Sequence, residues 1–212
     1  TISITAMGDL PAGMGLTRSG AQPGDDIWVS GTVGDAYAAL MCRWGRWQVM
    51  PDAEPRLFAR MDRPTPRIAL GQALLGAATA CADISDGLLA DLDHILTRSG
   101  VSAEIEWERI PRSPVLSTLT VARQHEAALA GGDDYELIFT APPAAAERIF
   151  EAGLLSNTPV SRIGRILERE ETAVVVRQPI FPRSGRVFRL HRLGAAQNPV
   201  PRDEGALYRQ DD

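Results

Sequence analysis

Short strand-like runs alternate along this chain with stretches of helical periodicity, and Gly or Pro stands at most of the transitions. The strand-like run Asp26–Ser30, for example, precedes a helical stretch over residues 36–43, and Gly100 separates a helix from the run 101–107. Helices interleaved with strands favour packing of both around one core. The expected fold class is therefore α/β (α+β), with a layered mixed sheet and packed helices.

The same periodicities predict the other elements. We predict further helices over residues 67–80, 86–98 and 144–152, one within 115–130 and a short one near 55–61. Further strands are predicted over 2–6, 135–140, 160–167 and 172–176. We interpret residues 1–8 as the end strand of a preceding N-terminal domain, 9–191 as the α/β domain, and the polar segment 192–212 as a disordered tail.

Composition excludes several classes of protein. The net charge is −5 and the arginines are scattered, so nucleic acid is not an expected partner. No apolar run approaches the ~18 residues of a membrane span, and no signal peptide is visible, so we expect a cytoplasmic protein with no membrane partner. Cys42 and Cys81 fit no metal or disulfide pattern and are predicted to be buried thiols in a reducing compartment.

All 22 basic residues are Arg, and the chain contains no Lys. This excludes the lysine of a Walker P-loop, the β3 lysine of protein kinases and a Schiff-base lysine. If the chain handles ATP, it must do so with other groups.

The sequence Asp-Ile-Ser-Asp-Gly at residues 83–87 stands at a predicted strand-to-helix junction. Asp83 and Asp86 flank Ser85, and the following helix would direct free N–H groups outward. Carboxylates suit a hard cation such as Mg²⁺, and a helix N-terminus attracts the phosphate that accompanies it. The alternative is that Asp86 or Ser85 is simply the helix N-cap.

Residues 131–137, Gly-Gly-Asp-Asp-Tyr-Glu-Leu, form a second acidic turn, which could hold a cation or a substrate or could end a helix with solvated acids. In a third loop, residues 31–35, we interpret Asp35 as a helix cap. Arg18 could clamp a phosphate or could be solvated. The three histidines, among them His94, show no metal-ligand spacing.

Taken together, these loops resemble those of the thiamine-monophosphate kinase family. The resemblance rests on residues 15–25, 64–67, 71–74, 83–88, 131–137 and 162–164, which occur in the family's order within residues 5–166. It implies the C-terminal domain fold of the aminoimidazole ribonucleotide synthetase-like superfamily.

The resemblance further implies transfer of the ATP γ-phosphoryl group to thiamine monophosphate, giving thiamine diphosphate, with Mg²⁺ at the phosphates. By motif match, Asp83 and Asp86 would be magnesium ligands, and Arg18 and Ser85 would contact ATP. Asp133 would contact the substrate, at a position where the family usually has Glu. No residue is assigned to a catalytic role. Such chemistry needs no lysine, because positioning and cations can carry phosphoryl transfer.

Two features of the family have no counterpart here. One is its N-terminal domain, which carries further magnesium ligands, much of the ATP pocket and most of the homodimer contact. The other is its C-terminal aromatic, which is not recognisable after Arg186. We therefore expect this chain to supply the C-terminal part of the site and to be inactive alone. Two alternatives stay open: another ATP-using enzyme of the superfamily, and a non-catalytic ligand-binding or interaction module.

Overall fold

One mixed sheet of seven strands organises the computed structural model, which describes residues 3–5, 7–10, 12–13, 15–170, 172–178 and 186–191. Across the sheet the order is β2-β4-β1-β5-β3-β6-β7, and only β3 and β6 run parallel. The strands are β1 Asp26–Ser30, β2 Ala80–Asp83, β3 Ser102–Glu106, β4 Leu137–Ala141, β5 Val160–Leu167, β6 Thr172–Gln178 and β7 Arg186–His191.

Helices cover both faces of this sheet. They are α1 Asp35–Arg43, α2 Glu54–Asp62, α3 Ile68–Ala73, α4 Leu88–Ser99, α5 Pro114–Ser117, α6 Val121–His125 and α7 Ala146–Leu155. Strand β1 is buried along its whole length because its two faces meet different cores. Ile27 and Val29 join the core under α1, α2 and α4, whereas Trp28 packs with α3 and α7. The expected layered α/β fold is confirmed.

Helix α4 follows the predicted pattern. Leu88, Leu92, Ile95 and Leu96 recur at helical spacing, and all four are fully buried. The helix ends where Gly100 adopts a left-handed conformation with φ 71°. Its N-terminus follows directly after the loop 84–87, so the packing of α4 positions that loop against the edge strand β2.

Two predicted helices are wrong in extent. The helix predicted over 67–80 ends at Ala73, because Gly76 turns the chain with φ 70° and Ala80 pairs with Thr140 as the start of β2. The helix within 115–130 is divided into α5, α6 and a π-helix over Glu126–Ala130. The hydroxyl of Thr120 starts α6 afresh by accepting the N–H of Arg123.

The described residues near the start of the chain form no strand: residues 3–5 and 7–10 have no regular structure, and Ile4 is 88% exposed. Strand β7 was not anticipated, and residues 192–212, predicted to be a tail, lie outside the described residues. The proposed domain boundaries stay predictions.

Cys42 and Cys81 are free thiols, each only partly buried. Within the described part of the chain, no helix has the length and apolar character that crossing a membrane requires.

Gly164, in the centre of the sheet, offers a test of this packing. A Cβ atom there would overlap the carbonyl oxygen of Glu104 in β3. We expect Gly164→Ala to lower the free energy of unfolding, measured in urea, by about 1–3 kcal/mol or more, because the neighbouring backbone cannot yield. Gly76→Ala is the control: it has free space around it, so only its left-handed conformation should cost about 1 kcal/mol. Equal losses would contradict the sheet register described here.

Candidate functional site

The loop 84–87 places its polar side chains outward around one buried anchor. Ile84 is fully buried, whereas Asp83 and Asp86 are exposed and Ser85 is partly buried. Strand β2 ends at Asp83 and α4 begins at Leu88, as the strand-to-helix junction predicted. Two carboxylates and one hydroxyl therefore stand at the same turn, accessible to a ligand.

The interpretation of Ser85 or Asp86 as the N-cap of α4 is wrong. The capping position is Gly87, with φ 118° and no side-chain cap. Instead, Oδ2 of the buried Asp91 accepts hydrogen bonds from the amides of Ser85, Asp86 and Gly87, at 2.9, 3.0 and 3.2 Å. These three N–H groups are thus directed into the protein. The expectation that free amides face a phosphate here is wrong for these three groups.

The second acidic turn is locked to this loop through the backbone. The amide of Asp133 donates to the carbonyl of Ser85 at 3.0 Å, and that of Tyr135 donates to Ile84 at 2.9 Å. Gly132 is required here, because a Cβ atom would overlap the Ser85 carbonyl oxygen. The two motifs, 48 residues apart in sequence when Ser85 is compared with Asp133, therefore form one structural unit.

This unit carries three exposed carboxylates, those of Asp83, Asp86 and Asp133, which we call the acidic corner. The hydroxyl of Tyr135 donates to Oδ1 of Asp133 at 3.4 Å. The negative charge of these acids raises the pKa of Tyr135. The charge of Asp133 is the largest cause, followed by partial burial and the hydrogen bond to Asp133, and the charges of Asp83 and Asp86 add to it. Asp133 and Tyr135 both have positive φ, at 67° and 51°. Such conformations are uncommon outside Gly and occur often at functional sites.

Arg18 lies at the edge of the corner. Its guanidinium is 3.9 Å from a carboxylate oxygen of Asp83, and both side chains are about half exposed, at 51% and 49%. A contact of this length between exposed groups adds little to stability. The arginine therefore stays available to pair with an anion, and the structure brings it together with Asp83 as the phosphate hypothesis requires.

Asp134 and Asp35 have structural roles that the sequence reasoning missed or misassigned. Asp134 is buried and accepts the amides of Gly34 at 2.6 Å and Ala36 at 3.3 Å, so it caps α1 from another loop. Asp35, predicted to be that cap, makes no capping bond and instead accepts the hydroxyls of Ser113 and Thr32. Of the two neighbouring acids, Asp133 is solvated and Asp134 is not.

Glu136 connects the two interlocked loops to the rest of the domain through buried hydrogen bonds. It is fully buried, and its carboxylate accepts hydrogen bonds from Ser30 at 2.5 Å, from Arg60 at 2.9 Å and from Arg67 at 2.6 and 2.7 Å. Removing one partner of such a buried pair costs about 3–5 kcal/mol, since a charge would be left without a partner. Glu136 thereby fixes the segment that leads into α3 beside the acidic corner.

An apolar cleft of about 480 Å³ opens beside the corner. Asp83 and Tyr135 stand among its walls, so it is continuous with the carboxylates. Burial, followed by the charge of Asp83, raises the pKa of the Cys81 thiol in its wall to about 12, which keeps that thiol protonated at neutral pH. The other lining residues are Leu16, Pro64, Pro66, Arg67, Ile68, Gly71 and Leu137.

Residues 22–177 match the model of the AIR synthase related protein family, C-terminal domain. This chain belongs to that family. It is 43% identical over 171 residues to the thiamine-monophosphate kinase of Haemophilus influenzae, an alignment that covers 80% of this chain and 52% of the relative. The chain spans about half the length of the curated relatives it matches.

Solved structures of this family agree. The thiamine-monophosphate kinase of Stenotrophomonas maltophilia K279a superposes with a TM-score of 0.73 at 41% identity, covering 79% of this chain and 54% of that one. The structure of AaThiL complexed with AMPPCP and TMP has a TM-score of 0.64 at 37% identity and covers 80% of this chain and 53% of its own. The resemblance stated from the sequence is confirmed.

The donor atoms of this family member suit a hard divalent cation. Carboxylate and hydroxyl oxygens are the ligands that Mg²⁺ prefers. The acidic corner offers three carboxylates, and among the described residues their one ion pair is the 3.9 Å contact between Arg18 and Asp83. One possible ligand atom from each of Asp86, Asp91 and His94 also lies within 4.8 Å of the other two. Sequence spacing gave no sign of this proximity, because only the fold shows that Asp86, in the turn before α4, lies near Asp91 and His94 of that helix.

Asp91 and Glu136 are the site-supporting residues that sequence reasoning missed. A signal for Asp91 was present: it falls on the buried face of α4, between Leu88 and Leu92, where a charged residue is unusual. Glu136 alternates with the buried Ile138, which also hinted at an inward side chain. Its two arginine partners could not be inferred, because Arg60 and Arg67 lie 76 and 69 residues away in the sequence, in α2 and just before α3.

Asp134 should make stability depend on pH. Burial raises its pKa from 3.8 to about 7, against the opposing effect of its amide hydrogen bonds. The folded chain then keeps a proton that the unfolded chain loses, so the contribution of this group is full below about pH 4 and disappears as pH rises through 7. Asp134→Asn cannot ionise but can still accept the Gly34 amide. We expect its free energy of unfolding to rise relative to wild type between pH 4 and 7, by about 4 kcal/mol at most.

The measurement is urea unfolding of both proteins across this pH range. Asp52→Asn, at an exposed position, is the control and should leave the pH profile unchanged. A constant difference between Asp134→Asn and wild type would show that Asp134 does not titrate in this range.

Proposed function

We propose that this chain provides the C-terminal part of the active site of a thiamine-monophosphate kinase, which transfers the γ-phosphoryl group of ATP to thiamine monophosphate. The observation that carries the proposal is the acidic corner, in which two interlocked loops present three carboxylates beside Arg18. Its support comes from relatives that are named thiamine-monophosphate kinase and from the relative complexed with AMPPCP and TMP.

In this proposal the acidic residues bind the cation and the substrate, and the arginine binds a phosphate. Asp83 and Asp86 would hold Mg²⁺, which when bound neutralises phosphate charge and orients the phosphoryl group for in-line transfer. Arg18 would pair with a phosphate of ATP through its planar guanidinium, and the Ser85 hydroxyl would add a hydrogen bond. Asp133 would contact thiamine monophosphate. Because Asp is one methylene shorter than the Glu usual in the family, the substrate would have to approach this loop more closely.

The other part of the site would come from the portion of the relatives that this chain does not span. Phosphoryl transfer depends on charge neutralisation from several sides of the phosphates, so the corner alone should bind ligands but transfer slowly or not at all. A cytoplasmic location belongs to the same proposal, whereas homodimerisation would depend largely on the portion that this chain does not span. A ligand-binding module without catalysis is the competing function, and turnover separates the two.

The test is formation of thiamine diphosphate from ATP, Mg²⁺ and thiamine monophosphate, measured for this chain alone and after addition of the complementary N-terminal segment of the Haemophilus influenzae relative. We expect turnover only in the combined sample. Binding of the ligands without turnover in either sample would favour the non-catalytic module, and absence of both would overturn the proposal.

Asp83→Asn should then lower kcat/KM of the combined sample by about 100-fold or more, because loss of one charge weakens a metal ligand while the shape of the side chain is kept. Raising the Mg²⁺ concentration should restore part of the activity. Asp52→Asn, which also removes one exposed carboxylate, is the matched control and should retain wild-type kinetics. Equal kinetics of the two variants would exclude Asp83 from the metal site.

A further inference from the structure

Asp91 lies in the first turn of α4 and is only 1% exposed. One oxygen of its carboxylate, Oδ2, receives the hydrogen bonds of three consecutive amides, those of residues 85–87. Hydrogen bonds from backbone N–H groups to a carboxylate are charge-assisted and stronger than those between neutral groups. This single side chain therefore holds the backbone of the whole turn from inside the protein.

The backbone of Ser85 is held on its other side as well. Its carbonyl accepts the amide of Asp133, and the absence of a side chain at Gly132 allows this close approach. With both its N–H and its C=O engaged, the turn has little freedom to rotate. The side chain of Asp86 is consequently presented to solvent, while the neighbouring Gly87 and Leu88 are buried.

The same contact changes what the turn can bind. Free amides at a helix N-terminus form a ready site for phosphate, and the helix dipole adds to the attraction. Here a buried carboxylate occupies three of these amides and opposes the positive end of the dipole. What remains outward is negative: the carboxylates of Asp83 and Asp86. A bare anion is thus disfavoured at this turn and a cation is favoured.

We propose that Asp91 is a positioning and specificity-determining residue, which makes this turn a site for a divalent cation instead of a site for a free phosphate. The inference rests on the proposed function, since it assumes that the acidic corner binds the cation that accompanies ATP. It assigns to Asp91 two effects that can be measured separately: fixing the turn for the cation, and withholding its amides from anions.

The test uses this chain and its variants Asp91→Ala and Asp91→Asn, with Mn²⁺ as the probe cation and inorganic phosphate as the probe anion. Mn²⁺ affinity is measured by water-proton relaxation, and the amides of residues 85–87 are followed by ¹⁵N NMR. We expect Asp91→Ala to weaken Mn²⁺ binding by about 10- to 100-fold, as outer-shell changes at metal sites do. Phosphate should shift the three amide signals in Asp91→Ala but not in wild type.

The conservative variant Asp91→Asn tests whether loss of folding alone explains the effect of Asp91→Ala. Asn at position 91 keeps one oxygen acceptor, so Asp91→Asn should fold even if Asp91→Ala does not, and should show smaller changes of the same sign. Asp26→Ala is the matched control, because Asp26 is also a buried carboxylate, paired with Arg162 at 2.6 Å, but in β1. It should lose stability while keeping wild-type Mn²⁺ affinity and amide signals that do not respond to phosphate.

The outcomes separate the two proposals. Failure of the wild-type chain to bind Mn²⁺ at the acidic corner would overturn the cation site of the proposed function, and with it this inference. Mn²⁺ binding by wild type that stays within about twofold in both Asp91 variants would overturn the role of Asp91 alone. So would weakened binding of equal size in Asp26→Ala, because a general loss of stability would then explain the effect.

Discussion

The acidic corner depends on the backbone contact between residues 84–87 and 132–136. Hydrogen bonds join the two loops at three places, from Asp133 to Ser85, from Tyr135 to Ile84 and from Ile84 to Glu136. Neither loop is part of a long regular element at this point, so their position relative to each other depends on this contact. Because the contact is between backbones, it fixes where the side chains leave the chain, and Gly132 is the position where it excludes a side chain.

Within residues 133–136 the side chains alternate between solvent and interior. The outward groups are solvated, whereas the inward carboxylates accept hydrogen bonds from protein groups. The outward groups are Asp133, which belongs to the acidic corner, and Tyr135, which donates a hydrogen bond to Asp133. The inward ones, Asp134 and Glu136, meet amides and guanidinium groups that compensate for the loss of water. One short segment thus supplies both outward polar groups and the buried contacts that hold them in place, which explains why its positive φ angles are tolerated.

The buried carboxylates also connect distant parts of the fold. Through Ser30, Arg60 and Arg67, Glu136 joins the end of β1 to helix α2 and to the residue before α3. Asp134 caps the N-terminus of α1, and Asp91 accepts hydrogen bonds from the amides of the turn before α4. The absence of lysine is consistent with this design, since the planar guanidinium of arginine can donate two parallel hydrogen bonds to one carboxylate, which a lysine cannot.

By itself, the sequence determined the layered α/β class, the strands Asp26–Ser30 and Val160–Leu167, and helix α4 with its Gly100 cap. It also singled out the two acidic loops as the candidate site. These features follow from local periodicity and turn chemistry, which a chain carries wherever it folds. Only the tertiary structure decided which acids face solvent and which accept backbone amides inside the protein, as with Asp133 and Asp134, or Asp86 and Asp91. That choice depends on partners tens of residues away, and a local pattern contains no information about them.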